Sequence, residues 1–352
     1  MYGQQITPPL GKIRNSNLEL LRIVCMFLVL LIHYLPTRMT LSPETIRNDF
    51  FNSIAQLELN SLCFVCVNCF VIVSGYFNIK WKIKSFSRLL YTILFWGIIA
   101  YALSLFVPDN EGSDFSTTNF IVTTFTLRWF IGAYLILYIL SPVINAFIEK
   151  CATRQLGIFL SYFYAFSTIY GWLMGSQFFN EGMSFLSLMG LYILGAFLKR
   201  TNLKIFTLKA SYNLVIYLGL GIMLVLINAF TYYIGINKSI YGYLNPVIIL
   251  ESIYLFLFFK NLKIGYLPWI NVVAGSAFSV YLFHHSAYIF PHYIRLSNWI
   301  NENSSISLLC MLGIITFIFL FCTLVDYLSK SLFNLIYNLF SYKNLNLGLK
   351  KC

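Results

Sequence analysis

Asn17-Leu-Glu19-Leu-Leu-Arg22-Ile-Val-Cys-Met-Phe-Leu-Val-Leu-Leu-Ile-His33 is an apolar run interrupted by three ionisable side chains, and its reading decides the fold. A bilayer core takes about 20 residues of helix, and the run continues through Tyr34 and Leu35 to supply them. Read as a helix at about 100° per residue, Glu19, Arg22 and His33 project within an arc of ~60°. Arg22 and His33 are eleven residues apart, about 16 Å along the axis. Ionisable groups inside a span cost ~2.5–3.5 kcal/mol each on insertion scales, and by default they line a cavity or a pathway.

The rest of the chain agrees with a membrane setting. Its 352 residues are 59% hydrophobic, 18% aromatic and only 10% charged, with a mean hydropathy of +0.75. A soluble chain carries about a quarter of its residues charged, so there is too little polar surface here for a water-soluble body. The net charge of +12 does not point to nucleic acid, because the positives stand between long apolar runs rather than in patches on a polar surface. The eight cysteines form no disulfide framework. Cys63, Cys66 and Cys69 lie within one apolar stretch with no His or acid beside them, so no metal is expected. Cys352 matches no prenylation box. No small-residue cleavage pattern follows the first apolar run, which is expected to remain as the first span.

Apolar segments fall near 18–35, 57–77, 88–107, 129–148, 156–174, 183–198, 211–235, 245–260, 268–293 and 306–328. An amphipathic stretch at 331–342 is expected on the membrane surface, at the start of a cytoplasmic tail over 331–352. The expectation is an all-α polytopic protein, one domain over 1–352, with ten spans and no evident internal repeat. With the N-terminus inside, eighteen of the twenty-four basic residues fall on cytoplasmic segments, among them Lys12, Arg14, Lys80, Lys82, Lys84, Arg88, Lys199, Lys260, Lys343, Lys350 and Lys351. Only Arg38, Arg47, Arg128, Lys238 and Arg295 fall outside. The bias places both termini in the cytoplasm. The acids Asp109, Glu111, Asp114, Glu181 and Glu302 all land outside.

The intramembrane candidates are therefore Glu19, Arg22, Glu251 and Asp326, with His33 and His284 as titratable companions. An arginine near the inner entrance suits a phosphate-bearing molecule arriving from the cytoplasm. A histidine deeper on the same stripe suits proton transfer near neutral pH. The plainer reading is that Glu19 and Arg22 neutralise one another and that His33 sits at headgroup level.

Four segments carry a resemblance. The first-helix pattern of an Arg, ten residues and a His resembles the signature of the membrane acyltransferase-3 family. In chain order Phe70-Val-Ile-Val-Ser74-Gly75-Tyr76-Phe77, then Arg128-Trp129-Phe130-Ile-Gly-Ala-Tyr134 with Tyr138 and Ser141-Pro142, then Ser279-Val-Tyr281-Leu-Phe-His284 are similar to further family segments. The resemblance covers nearly the whole chain. It implies transfer of an acyl group, most often acetyl and never aminoacyl, from cytoplasmic acyl-CoA to a hydroxyl of a cell-surface or exported polysaccharide or lipid-linked glycan. It also implies residence in a bacterial-type cytoplasmic membrane, with membrane lipid, acyl-CoA and the glycan as partners.

Carried onto this chain, the resemblance makes His33 the catalytic histidine and Arg22 its signature partner. His33 would act as general base toward the acceptor hydroxyl, or would carry the acyl group itself, and the residues do not separate these routes. Glu19, Ser74, Gly75, Tyr76, Arg88, Arg128, Trp129, Glu251, Tyr281 and His284 are the expected binding residues. Gly75 reads equally as a helix cap, and Trp129 equally as an interfacial anchor. His284 lies at a depth comparable with His33, whereas His285 points about 100° away and is left out. Glu251 is a candidate acceptor contact, and Asp326 is expected to hydrogen-bond or to pair with a nearby lysine. Two departures stand out: spaced lysines where the family has Arg-Arg pairs after its second-helix motif, and Arg128 where a less polar residue is usual. Arg128 could grip an anionic acceptor such as a uronate or phosphate. A transporter or flippase of a glycan is the rival reading, though no paired broken helices are evident in the sequence.

Overall fold

The computed structural model describes residues 15–35, 44, 48–106, 116–125, 128–234 and 240–346. Lys12, Arg14, Arg38, Arg47, Asp109, Glu111, Asp114, Lys238, Lys350, Lys351 and Cys352 lie outside the described residues, as does the side chain of Lys343. The described residues form helices, turns and links and contain no strand.

Helix α1 (Ser16–Tyr34) is started by Asn15, whose side chain accepts the Asn17 amide at 3.1 Å, and carries Glu19 in its first turn. The cap satisfies one orphan amide and the acid complements the positive helix end. Its apolar residues face all round, and Leu18, Leu21, Cys25, Leu30 and Tyr34 are fully buried. A helix buried on every side belongs at the centre of a bundle. Around it stand α2 (Phe50–Phe64), α3 (Cys66–Phe77), α4 (Ile83–Ser104), α5 (Thr117–Phe125), α6 (Trp129–Lys150) and α7 (Thr153–Phe166), the last running on as a π-helical turn to Leu173. The chain continues through α8 (Phe185–Arg200), α9 (Ala210–Tyr233), α10 (Pro246–Lys260), α11 (Pro268–Ala274), α12 (Ala277–His284), α13 (Phe290–Asn303) and α14 (Ser307–Asn346).

Among the described residues, seven rods are long and apolar enough to cross a bilayer: Ser16–Tyr34, Phe50–Phe77, Ile83–Ser104, Trp129–Lys150, Thr153–Leu173, Ala210–Thr231 and Ser307–Leu339. The three other expected spans are helical but shorter. The α8 and α10 helices have 16 and 15 residues, and the third is the interrupted pair α11–α12. The outward surface is greasy: Ile98, Val143, Tyr162, Phe230 and Leu324 are all exposed. The interior holds Asn68, Ser141, Glu251 and His284 without exposure. A surface this apolar around an interior that tolerates polar groups is that of a membrane-embedded bundle.

Three expectations need correction. The ninth apolar segment does not run to residue 293: its helix ends at His284, and α13 begins separately at Phe290. Helix α13 is amphipathic, burying Tyr293, Ser297 and Ile300 on one face while Trp299 and Glu302 point outward, so the hydropathy average had merged a span with a surface helix. The stretch 331–342 is not a detached surface helix either, because α14 continues unbroken from Ser307 to Asn346. With no Gly or Pro between 314 and 346, nothing in that segment stops the helix. Finally, interrupted helices do occur, at Val65 between α2 and α3 and at Gly275–Ser276 between α11 and α12. Irregular backbone at membrane depth is tolerated where it borders a cavity, and Cys66 and Gly275 both do so.

Two contacts fix the helices that bear the site. The α3 and α8 backbones touch: a Cβ on Gly75 would stand 1.9 Å from the Tyr192 carbonyl oxygen, and one on Gly195 2.1 Å from that of Ile72. Small residues that admit such approach are how membrane helices gain packing energy. The break before α12 is tied to α14 by Asp326, which accepts from Ser276 Oγ at 2.8 Å and Ser279 Oγ at 2.7 Å. Lys330 Nζ lies 2.5 Å from the same carboxylate and donates to the Gly275 carbonyl at 3.1 Å. Asp326 thus both accepts hydrogen bonds and pairs with a lysine.

Candidate functional site

A cavity of about 340 Å³ opens between α1, α3, α6, α11 and α12. Its walls are mostly apolar, with Met26, Val29, Phe70, Phe130 and Phe278 among them, and its polar points are few: Arg22, His33, Ser74, Tyr134, Tyr243, Tyr281 and His285. An apolar pocket with a few convergent polar groups is the ordinary form of a small-molecule site. Helix α1 contributes both Arg22 and His33, so their shared stripe faces this space. Arg22 holds Glu19 through Nη1–Oε2 at 3.3 Å, yet its side chain keeps 31% exposure while Glu19 is buried. The neutralising pair and the cavity-lining role therefore coexist.

At the other end of the stripe, His33 Nδ1 lies 3.1 Å from His284 Nε2. His284 is wholly buried, and its Nδ1 lies 2.8 Å from the Val280 carbonyl oxygen. That oxygen can only accept, so His284 carries its proton on Nδ1. In the neutral pair His284 Nε2 is then an acceptor, and His33 must donate from Nδ1. The lone pair of His33 falls on Nε2. Three rings hold the imidazole in place: His285 stacks on it at 4.8 Å, Phe290 meets it edge-on at 5.2 Å, and His284 tilts beside it at 5.3 Å. A histidine with a fixed tautomer and a fixed plane can take a proton at one defined atom.

The other expected residues divide. Ser74 lines the cavity, bonding back to the Phe70 carbonyl at 3.0 Å and reaching the Tyr134 hydroxyl at 3.4 Å. Trp129 lines it beside Tyr243, and Tyr281 lines it with His285 stacked on its ring at 5.5 Å. Arg128 is buried next to this end, donating from Nη1 to the Leu282 carbonyl at 2.8 Å. Gly75 is not a cap, since Asn78 ends α3 with φ 55°; it serves the α3–α8 contact. Tyr76 lies outside the cavity lining, against Phe256, with Lys199 and Lys260 each 5.7 Å from its ring centroid. Arg88 is exposed, bonding Asn334 at 3.2 Å and resting over Phe333 of α14. Glu251 is buried elsewhere, between α2, α9 and α10, where Ser61 donates to it at 3.3 Å and its second oxygen has no partner.

Two lining residues escape a sequence reading. The 100° rule turns His285 away from His284, but His285 is the residue after α12 and leaves helical geometry. Its adjacency to His284 is the one signal that could have recovered it. Tyr243 lies in the link before α10, held by Asn68 Nδ2 on its carbonyl at 3.1 Å, where no periodicity exists to flag it.

A family model described as an acyltransferase domain, that of the acyltransferase-3 family, matches residues 15–325 of the chain. No curated protein and no solved structure matches it.

Proposed function

The chain belongs to the acyltransferase-3 family, and from that premise we propose that it is an O-acyltransferase moving an acetyl group from cytoplasmic acetyl-CoA, or a related acyl-CoA, to a hydroxyl of a cell-surface or exported glycan. The observation that carries the reading is the His33–His284 hydrogen bond at one end of a cavity whose other end is marked by Arg22. The acyltransferase role rests on the family. The acetyl group, the CoA donor and the glycan rest on the resemblance of the motifs.

In the proposed reaction the acceptor hydroxyl loses its proton to His33 Nε2 as its oxygen attacks the thioester carbonyl carbon. The imidazolium so formed keeps its Nδ1–H on His284 Nε2, and His284 keeps its own proton on the Val280 carbonyl. Collapse of the tetrahedral adduct breaks the carbon–sulfur bond, and the departing thiolate takes the proton back from His33 Nε2. The ester forms, free thiol leaves, and the histidine pair returns to its starting tautomers. Arg22, half-exposed at the opposite end, is placed to meet a phosphate or carbonyl of the donor's arm.

For topology we propose ten crossings, with the interrupted and short helices α8, α10 and α11–α12 as the interior ones, and both termini in the cytoplasm of a bacterial-type membrane. The asymmetry of lysine and arginine between the two sides supports that orientation.

The test is direct. Detergent-purified protein with radiolabelled acetyl-CoA and candidate glycans should deposit alkali-labile label on a glycan, and His33→Ala should abolish this while remaining monodisperse and membrane-inserted. Near-normal transfer by His33→Ala sinks the mechanism, and movement of glycan with no covalent label favours a transporter.

A further inference from the structure

Among the described residues, Arg128 is a charge without a counter-charge. It stands at the start of α6 with only 3% exposure, its Nη1 is held by the Leu282 carbonyl, and its Nε is buried with no partner. The ion pairs among the described residues are Arg22 with Glu19 and Lys330 with Asp326, and neither involves Arg128. Guanidinium does not deprotonate in proteins, and a buried, unpaired charge is destabilising unless something arrives to match it. Tyr281, His284 and His285 lie within its electrostatic reach, and none of them is a carboxylate. His285 adds a second unmet atom, because its Nδ1 is also buried without a partner while its ring lines the cavity between His33 and Tyr281.

We propose that Arg128 and His285 form an anion subsite beside the His33 end of the cavity, which takes a carboxylate or phosphate group borne by the acceptor glycan. The inference rests on the acyltransfer reading for what the acceptor is, and on the buried, unmatched guanidinium of Arg128 for its charge. The planar guanidinium offers paired donors to either anion, and Leu282 fixes it to the helix that carries His284. An acceptor gripped here presents a neighbouring hydroxyl to His33 and is selected for its acidity. Arg128 is in this view a specificity-determining residue.

Binding and transfer are measured separately on full-length protein in detergent. Three probes are used: a uronic-acid oligosaccharide, its carboxyl-reduced neutral counterpart, and a glycosyl phosphate. Wild type is expected to bind at least one acidic probe roughly 100-fold more tightly than the neutral one, as for loss of one partner of a buried charge pair. The stronger acidic probe tells whether a sugar carboxylate or a carrier phosphate is the natural source. Arg128→Met should erase the difference between acidic and neutral probes, and Arg128→Lys, which keeps the charge but loses the fork, should fall between. Wild type that binds all three alike, or an Arg128→Met protein that keeps the preference, overturns the subsite. Equal loss of transfer to acidic and neutral acceptors in Arg128→Met also overturns it, assigning Arg128 to the reacting carbonyl or to folding. Acidic binding without acetyl transfer by wild type leaves the subsite standing and removes the acyltransfer reading instead.

Discussion

Nδ1 of His33 and Nε2 of His284 face each other at 3.1 Å, and the Val280 carbonyl 2.8 Å from His284 Nδ1 decides which of the two rings donates. Residues 251 positions apart thus share one proton arrangement, set by a backbone oxygen one helical turn before His284.

If His284 acts through His33, its replacement should lower kcat and leave substrate binding nearly intact. His284→Phe, which removes the acceptor, should cost about 10²-fold or more in kcat with little change in KM, in the manner of an orienting residue behind a general base. His284→Gln, whose amide oxygen can still accept from His33, should recover part of the rate. Initial rates with acetyl-CoA at saturating acceptor check this, and an unchanged kcat in His284→Phe refutes the relay. On the general-base route, acid-quenched wild type without acceptor should carry no acetyl label, whereas an acyl-histidine route leaves one.

The Asp326 anchor makes a second expectation. Two serine hydroxyls and a lysine converge on this buried carboxylate where α12 begins, so Asp326→Ala strands three donors at once. The loss should be about 2–4 kcal/mol of stability, as for breaking a buried hydrogen-bonded network. Thermal unfolding in detergent should show a lowered Tm for Asp326→Ala, with a smaller drop for Lys330→Ala, whose side chain is 42% exposed. Equal Tm values for Asp326→Ala and wild type would remove the anchor.

Gly75 and Gly132 provide a matched pair. A methyl group at Gly75 would run into the Tyr192 carbonyl, while one at Gly132 meets nothing within 4 Å. Gly75→Ala should therefore push α3 from α8 and cost about 1–3 kcal/mol as overpacking does, and Gly132→Ala should be neutral or slightly stabilising. Size-exclusion profiles and Tm of the two variants decide it, and a well-behaved Gly75→Ala protein would contradict the backbone contact.

What could be read in the sequence was what periodicity and charge encode. The stripe from Arg22 to His33 is legible because α1 is an uninterrupted helix, so a 100° step predicts where side chains point. The same rule fails at His285 because α12 stops one residue earlier, and it gives no purchase on Tyr243, which lies in a link. Hydropathy ran the ninth segment on to 293 because Tyr288, Ile289 and Phe290 are apolar, although α13 buries only one face. Glu251 was legible as a buried acid, but its distance from the cavity was not, since that depends on the packing of α9 against α10. Gly75 shows the limit from another side: the residue is recognisable, and only the neighbour Tyr192, far away in sequence, explains why it is glycine.

The final expectation concerns the donor. Lys199 and Lys260 come from the ends of different helices, α8 and α10, and converge on the ring of Tyr76 at equal distances; no ion pair to an acid involves either of them among the described residues. Two ammonium groups near one ring make a locally positive point, which the phosphates of the proposed CoA donor would match. The lysines lie at helix ends that the proposed topology puts in the cytoplasm, where the proposed donor would enter. Lys199→Ala and Lys260→Ala should each raise KM for acetyl-CoA by about 3–10-fold and leave kcat unchanged, because the contact is made equally in ground and transition states. The effect should shrink as salt is raised, since these charges are partly exposed to screening. Steady-state rates across donor concentration at low and high ionic strength measure both. A fall in kcat at constant KM, or a KM effect indifferent to salt, would place the two lysines in the packing of α8 against α10 rather than in donor capture.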